Sequence, residues 1–270
     1  MSINPPLKWA GGKRWLAPKI KELYKGEYYA EPFAGGLSIG LALAPEEAWI
    51  NDINPHLITF YRHLRDGYTL KKYGNTEEIY YKCRARYQEL CTRDLLENYD
   101  TRQEKSALFY YLNRHGFNGL YRENKKGSYN VSYGKYKKPL YELEDFTKIM
   151  GGWSLEFGSY NRSPSKMTDL CYRSESGSID LLTFADPPYD QQFTGYSASG
   201  FNWDDQVECA EWLKGLPGKV ITTNQATQRI IDLYKKLGFK IELLEAPRRI
   251  SCDGNRTPVQ EMFATRGFKS

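Results

Sequence analysis

Short hydrophobic runs lie toward both ends of the chain and alternate with segments of helical spacing. The runs predict strands at 27–33, 48–53, 179–185, 219–224, 239–245 and 259–265. The run at 179–185, IDLLTFA, is almost continuously apolar, which is typical of a strand buried on both faces. Helices are predicted at 205–213 and 226–237. Strands that alternate with helices predict an α/β fold with a mostly parallel sheet.

The last two predicted strands are joined by a polar loop without a helical pattern. Parallel neighbours need a long crossover, whereas antiparallel neighbours do not. We therefore expect 239–245 and 259–265 to pair antiparallel, at one end of the sheet.

The middle of the chain follows a different pattern. Residues 56–113 are polar, with apolar and aromatic side chains at helical spacing, and a basic block follows at 114–138. We predict one α/β domain that is interrupted after its second strand. Its first part is 1–55, a helical insert with a hairpin near 117–138 occupies 56–146, and the domain resumes over 147–270.

Charge and tyrosine content single out this insert. The 270 residues carry 38 basic and 33 acidic side chains, a net charge of +5. Residues 56–150 alone hold 18 basic and 12 acidic side chains and 14 of the 22 tyrosines. In the basic block, glycines and tyrosines interleave with the charges, as expected of an ordered loop that faces nucleic acid. A solvated charged face is the simpler alternative.

Several protein classes are disfavoured by the sequence. It has no apolar run near the roughly 18 residues of a membrane span, and residues 1–15 lack the apolar core of a signal peptide. Five scattered cysteines without a C-x-x-C indicate a reducing, cytoplasmic environment. Three histidines form no helical pair and no Cys/His cluster, so we expect no metal site.

A glycine turn follows the first strand, in EPFAGG. Gly35 and Gly36 allow a ligand to approach the backbone at the carboxyl edge of the sheet. Asp52 ends the second strand, where an acid can accept hydrogen bonds from the ribose of an adenosine-type cofactor. A structural turn with a solvent-facing Asp is the alternative. The missing G-x-G-x-x-G pattern disfavours a nicotinamide dehydrogenase.

The string DPPY at 186–189 is the strongest chemical signal, because it directly follows a buried strand. Asp186 and the carbonyl of Pro187 offer two hydrogen-bond acceptors to an exocyclic amine, which localises its lone pair. The rigid φ of Pro187 and Pro188 holds that carbonyl in place. Tyr189 offers a face on which a planar base can stack. A rigid turn after a strand is the alternative without function.

Together these motifs resemble the DNA adenine-N6 methyltransferase family, which includes the GATC-methylating enzymes. The matching strings run through the chain in the family's order: LKWAGGK (7–13), EPFAGG (31–36), NDIN (51–54), GFNGLYRENKKGSYNV and YGKYKKP (116–139), DPPY (186–189) and a tail at 248–263. The resemblance implies a Rossmann-like methyltransferase sheet, an inserted DNA-recognition domain and methyl transfer from S-adenosylmethionine to N6 of a flipped adenine in double-stranded DNA.

The resemblance also assigns roles to individual residues. It implies that the cofactor is bound by Trp9, Lys13, Phe33, Gly35, Asp52 and Asp186. It implies that DNA is bound by Lys8, Asn118, Arg122, Asn130, Ser132, Lys135 and Tyr136. Arg122 corresponds to the family's guanine-reading arginine. The other basic residues of the insert could instead contact only phosphates.

Two departures from the family pattern limit what it implies. Ser132 stands where GATC readers usually have a proline that packs on a thymine methyl, so the recognition site is GATC or a related short sequence. The polar stretch 161–178 is long and has no assigned role. An RNA methyltransferase and a catalytically silent DNA-binding protein remain alternatives. The resemblance is compatible with a monomer and with a cognate restriction endonuclease as partner.

Overall fold

The computed structural model describes residues 3–26, 28–92, 99–124, 127–139, 142–161, 181–190, 201–247 and 259–268. Its strands are β1 (Tyr28–Glu31), β2 (Ala48–Asp52), β3 (Trp153–Phe157), β4 (Leu181–Ala185), β5 (Lys219–Gln225), β6 (Lys240–Ala246) and β7 (Val259–Arg266). Its helices are a 3-10 turn at Arg14–Leu16, α1 (Ala17–Leu23), α2 (Gly40–Leu43), α3 (Pro55–Arg65), α4 (Glu77–Thr92), α5 (Tyr99–His115), a 3-10 turn at Phe117–Gly119, α6 (Thr147–Met150), α7 (Trp203–Gly215) and α8 (Gln228–Lys236).

These strands form a seven-stranded mixed sheet in the order β3-β2-β1-β4-β5-β7-β6. The first five strands in this order are parallel to their neighbours, while β7 runs antiparallel to both β5 and β6. The predicted α/β class and the terminal antiparallel pair are confirmed. Strand β3 was not predicted. The predicted strand residues 27 and 179–180 lie outside the described part of the chain.

Both faces of the sheet are covered. On one face, Leu182, Phe184 and Phe263 join a core with side chains of α3 and α5. On the other face, Trp49 and Met262 pack with residues of α7 and α8. The burial of β4 on both sides explains its continuous apolar run, since every position of the strand is buried.

Local signals set the starts of the helices around the sheet. Asn54 caps α3 by accepting hydrogen bonds from the backbone N–H groups of residues 56 and 57, and Pro55 occupies the first turn. Asn202 and Asp205 form a reciprocal capping box at the start of α7. Thr227 caps α8 by accepting a hydrogen bond from the backbone N–H of Ile230. These caps begin α3, α7 and α8 shortly after residues of the carboxyl edge.

The tyrosines of the insert have a different role from the one that their number first indicates. Several of them are buried and fill the space between α4, α5 and the basic block: Tyr80, Tyr87, Tyr110, Tyr111 and Tyr129. Residues 56–146 therefore use many of their tyrosines as core residues, so a high tyrosine content alone does not indicate a surface for nucleic acid. Their rings contact one another at centroid distances such as 6.0 Å for Tyr87 and Tyr129.

The basic block folds back on itself, but without regular strands among its described residues. Two isolated antiparallel bridges join Gly116 to Tyr133 and Glu123 to Tyr129. The block is therefore a looped hairpin, held by separate backbone hydrogen bonds, such as those from residue 117 to 132 and from 130 to 122, rather than by a continuous ladder. Residues 125 and 126 of this block lie outside the description, as do 162–178 and the tail residues 248–258.

Within the described part of the chain, no helix combines the length and the apolar character that crossing a membrane requires. The same residues include no group of three or more His, Cys, Asp or Glu side chains placed to hold a metal ion. His63 and His115 are buried packing residues.

Candidate functional site at the carboxyl edge of the sheet

The predicted catalytic residues meet at the carboxyl edge of the parallel strands. Asp52 ends β2, and Asp186 follows β4 directly. Because β7 runs antiparallel to β5, the beginning of β7 reaches the same edge, where Glu261 pairs in register with Gln225. Parallel α/β sheets bind their ligands at this edge.

Asp186 is held by two partners. The ammonium of Lys13 lies 3.0 Å from its Oδ2, and the hydroxyl of Thr223 donates a hydrogen bond of 2.8 Å to its Oδ1. The Asp186 side chain keeps 21% of its surface exposed, so it stays accessible from the cleft. The carboxylate is thus oriented before any substrate arrives.

Lys13 connects three groups of the site. Its side chain is only 4% exposed, and its Nζ donates to the carbonyl of Gly11 at 2.6 Å. The same Nζ lies 3.6 Å from a carboxyl oxygen of Glu261 and 4.7 Å from the centroid of the Tyr189 ring. A buried ammonium needs such partners, because an unpaired charge is strongly disfavoured there.

Tyr189 presents its ring at this centre while its hydroxyl is buried beside Glu261. Burial raises the pKa of Tyr189 far above its usual range, and the nearby carboxyls of Asp186 and Glu261 raise it further. Burial also raises the pKa of Glu261, although Lys13 opposes that effect. Tyr189 therefore stays neutral at physiological pH and can offer its ring face, but it cannot act as a phenolate base.

The glycine turn after β1 binds the carboxylate of Asp52 through its backbone. The backbone N–H of Gly35 donates to Oδ2 of Asp52 at 2.9 Å, and that of Asn54 donates to Oδ1 at 2.9 Å. Gly35 has a φ of +45°, in the left-handed region that favours glycine. A Cβ on Gly36 would lie 2.8 Å from Cβ of Trp9, so the indole lies directly against this turn.

Apolar side chains flank Asp52 in the same cleft. Ile53 is 78% exposed, and Phe157, which pairs in register with Asp52, is 58% exposed. Phe33 contacts the ring of Tyr160 at a centroid distance of 5.1 Å. Ile53 and Phe157 were not predicted as site residues. Ile53 follows the predicted strand β2 directly, and this position could have identified it, whereas Phe157 ends β3, which was not predicted.

The basic block meets the N-terminal segment next to this cleft. The ammonium of Lys8 lies 3.9 Å from the centroid of the Tyr136 ring, and the Tyr136 hydroxyl accepts a hydrogen bond from the backbone of Asn118 at 2.9 Å. Asn118 has a φ of +54°, which turns the chain sharply. Beside it, Phe117 is 53% exposed. The turn thus projects an aromatic side chain away from the protein.

The remaining predicted DNA-contacting residues lie along the same block. Nε of Arg122 donates to the side-chain oxygen of Asn130 at 2.8 Å, across the hairpin. Arg122, Ser132 and Lys135 are exposed. The bond to Asn130 uses Nε–H of the guanidinium, so that Nη1 and Nη2 can donate to other partners.

The structure therefore brings the predicted residues into two groups. Lys13, Asp186 and Tyr189 contact one another, and Trp9, Gly35 and Asp52 form an adjoining group at the glycine turn. Trp9 also links this cleft to the basic block, because its ring stacks on that of Tyr121 at 6.0 Å. Thr223 contacts Asp186 and Glu261 contacts Lys13, but neither was predicted as a site residue. Glu261 lies in the matched tail at 248–263, of which residues 248–258 lie outside the described part of the chain.

Comparison with known proteins identifies relatives of the whole arrangement. The family model described as D12 class N6 adenine-specific DNA methyltransferase matches residues 9–250. The chain is 31% identical to the type II methyltransferase M1.LlaDCHI of Lactococcus lactis subsp. cremoris, over 98% of this chain and 96% of that protein. It is 31% identical to the DNA adenine methylase of Escherichia coli strain K12, over 96% of this chain and 93% of that protein. It is also 33% identical to the DNA N-6-adenine-methyltransferase of Escherichia phage P1 over 92% of this chain, but it spans only 33% of that relative's length.

Proposed function

Because this chain belongs to the D12 class of N6 adenine-specific DNA methyltransferases, we propose that Asp186, Pro187 and Tyr189 form its catalytic centre and that Asp52 anchors its cofactor. The observation that carries this proposal is the meeting of Asp186, Tyr189 and Lys13 at the carboxyl edge of the sheet.

Family membership implies S-adenosylmethionine as the methyl donor, and the cleft beside Asp52 fits it. The donor set matches an adenosine group: a partly exposed carboxylate for the ribose hydroxyls and two exposed apolar side chains, Ile53 and Phe157, for the faces of a purine. Trp9, Phe33 and the turn at Gly35 complete the cofactor-binding set. When bound, the cofactor supplies an electrophilic methyl group.

The residues of the DPPY loop act on the target amine. The carboxylate of Asp186 and the carbonyl of Pro187 each accept one N–H of the amine, which concentrates the lone pair on nitrogen. Lys13 and Thr223 hold the carboxylate in place for this purpose. The ring of Tyr189 stacks on the extruded base. Since the amine loses its proton only after attack, positioning and electrostatics supply most of the catalysis, and no strong base is needed.

The insert at 56–146 is proposed to read the DNA. Arg122 contacts a guanine in the major groove through the two nitrogens that Asn130 leaves available. Asn118 and the exposed ring of Phe117 lie on the sharp turn that would enter the base stack beside the flipped adenine. Lys8, Ser132, Lys135 and Tyr136 complete the DNA-contacting set. The recognition site is GATC or a related short sequence.

Substitution of Asp186 tests the catalytic assignment. Asp186→Ala is expected to abolish methyl transfer into duplex DNA while DNA binding, measured by gel shift, stays within about threefold, because Asp186 contacts Lys13, Thr223 and the proposed target amine rather than the DNA backbone. Asp232→Asn, an exposed position on α8, serves as the matched control and should retain full activity. Methyl transfer by Asp186→Ala above the background rate would contradict the assignment.

A second experiment tests the reading role of Arg122. Arg122→Ala is expected to relax base preference at one position of the recognition site, by about 1–3 kcal/mol. Sequencing of DNA from cells that express each variant, with direct detection of N6-methyladenine, measures this preference. An unchanged methylation pattern would show that Arg122 does not read a base.

A further inference from the structure

Two buried amide side chains lie directly behind the DPPY loop and bind its backbone. We propose that Gln206 of α7 and Asn224 of β5 are positioning residues, which fix the peptide on both sides of Tyr189 for the methyl transfer. This inference rests on the proposed function, since it takes the DPPY loop as the catalytic loop. Neither residue belongs to a sequence motif that pointed to chemistry.

The hydrogen bonds form a closed path around Tyr189. Nε2 of Gln206 donates to the carbonyl of Pro188 at 2.7 Å, and Oε1 of Gln206 accepts from Nδ2 of Asn224 at 3.0 Å. Oδ1 of Asn224 in turn accepts from the backbone N–H of Asp190 at 3.4 Å. The carbonyl before Tyr189 and the N–H after it are therefore both attached to one pair of side chains.

A second anchor holds the far end of the same loop. Both carboxylate oxygens of Asp190 accept hydrogen bonds from the guanidinium of Arg229, and Oδ2 also accepts one from the hydroxyl of Thr227. Asp190 is buried, whereas Arg229 lies partly exposed with its guanidinium 4.6 Å from the ring centroid of Trp203. A bidentate pair of this kind fixes orientation as well as distance.

The burial of the two amides argues for a specific task. Gln206 and Asn224 are both 0% exposed. A buried amide is costly unless it is hydrogen-bonded, and apolar side chains of similar volume would fill the same space without that cost. Here the polar atoms bind the loop backbone and each other, and Oδ1 of Asn224 also accepts from the backbone N–H of Gln225 at 2.8 Å.

The arrangement has a direct consequence for the proposed chemistry. Pro187 and Pro188 present successive carbonyls, and Gln206 occupies the second one. No described residue donates a hydrogen bond to the carbonyl of Pro187, which is the acceptor proposed for the target amine. The pyrrolidine ring restricts φ of each proline. Fixing the carbonyl of Pro188 and the N–H of Asp190 therefore also restricts the direction of the Pro187 carbonyl.

The substitution Gln206→Glu tests the positioning role. The introduced carboxylate can still accept from Asn224, but it cannot donate to Pro188 while it is ionised. We expect kcat for methyl transfer at pH 8 to fall about 10- to 100-fold, with KM for S-adenosylmethionine and for duplex DNA within about threefold, because a small misplacement of reacting groups has effects of this size. Burial raises the pKa of a carboxyl group, and its protonated form can donate to Pro188 again. The ratio of variant to wild-type kcat should therefore recover as the pH falls toward 6.

A pure loss of fold stability would not give that recovery in kcat at fixed KM. Gln228→Glu, the same chemical change at an exposed position of α8, is the matched control and should show wild-type kcat at every pH. Melting temperatures in the same buffers separate unfolding from misalignment. Should Gln206→Glu fail to fold, Arg229→Lys tests the second anchor from a partly exposed position, with an expected fall in kcat of about 3- to 10-fold and unchanged KM.

The possible outcomes separate this inference from the proposed function. If Asp186→Ala is inactive but Gln206→Glu and Arg229→Lys keep wild-type kcat, only the positioning role is refuted. A rise in KM at constant kcat, or a loss of kcat that does not depend on pH, would also refute it. If Asp186→Ala retains activity, the proposed catalytic centre itself is wrong.

Discussion

Glu31 provides a prediction that can be worked out from its surroundings. It ends β1 with 2% of its surface exposed, and its Oε2 accepts hydrogen bonds from the hydroxyl of Tyr29 at 2.8 Å and from the backbone of Gly40 at 3.0 Å. Burial raises the pKa of Glu31 to about 8, and the carboxylates of Asp186 and Asp52 add to the increase. Folded protein therefore holds a proton on Glu31 at neutral pH, whereas the unfolded chain does not.

The sign of the pH dependence follows from this difference. The contribution of Glu31 to stability is fully present below the pKa of the unfolded chain, near 4.5, and is lost as the pH rises through about 8. Each pH unit between these two values lowers the free energy of unfolding by about 1.4 kcal/mol. Between about pH 5.5 and about pH 7.5, the loss amounts to about 3 kcal/mol.

Glu31→Gln removes this titration while it keeps an oxygen that can accept from Tyr29 and Gly40. We expect the variant and the wild type to have similar unfolding free energies near pH 5 in urea denaturation, and the variant to be more stable by about 3 kcal/mol near pH 7.5. Glu22→Gln, an exposed position on α1, is the control and should follow the wild type. A difference between Glu31→Gln and wild type that stays constant across this pH range would refute the reasoning.

Three further changes probe the cofactor cleft and the basic block. Asp52→Asn should raise KM for S-adenosylmethionine about 10- to 100-fold in a methyl-transfer assay, because a hydrogen bond to a charged group contributes about 1.5–3 kcal/mol. An unchanged KM would show that Asp52 does not bind the cofactor. Asn130→Ala should reduce base discrimination in the wild type but add nothing in an Arg122→Ala background, and additive losses would show that Asn130 reads DNA itself. Gly36→Ala should lower the unfolding free energy by about 1–3 kcal/mol in urea denaturation, since its Cβ would meet Trp9; equal stability would mean that the indole can move away freely.

The sequence predicted the fully buried strand β4 and also β6, most of whose positions are not buried. Strand β4 was clear because both of its faces are covered, and the antiparallel end followed from a loop without a helix. Strand β3 was missed because its burial alternates and its last residue, Phe157, is exposed, so it lacks a continuous apolar run. Short edge strands of this kind are identified mainly by their pairing partner, which a local pattern does not contain.

Site residues that belong to one short motif could be predicted from the sequence. Site residues that reach the motif only through strand pairing or helix packing could not. Asp186 and Tyr189 stand in one tetrapeptide. Glu261 reaches them only because β7 runs beside β5 in a register that sets Glu261 opposite Gln225. Gln206 reaches this loop from α7. In the sequence it is an ordinary helix residue, and only the folded structure shows that its amide binds the loop. Such contacts depend on the register of strands and the packing of helices, neither of which has a local signature.

The N-terminal segment from Lys8 to Lys13 contacts both the basic block and the predicted site residues at the carboxyl edge of the sheet. Lys8 lies against the ring of Tyr136, Trp9 covers the glycine turn and stacks on Tyr121, and Lys13 binds Asp186. These six consecutive residues thus contact both the basic block and the carboxyl edge of the sheet, and we expect a displacement of either to affect the other. By thermodynamic reciprocity, any factor by which cognate DNA tightens cofactor binding must equal the factor by which cofactor tightens cognate DNA binding. Since this short peptide adjoins both the residues proposed to contact DNA and those proposed to bind the cofactor, we expect the two binding equilibria to be coupled.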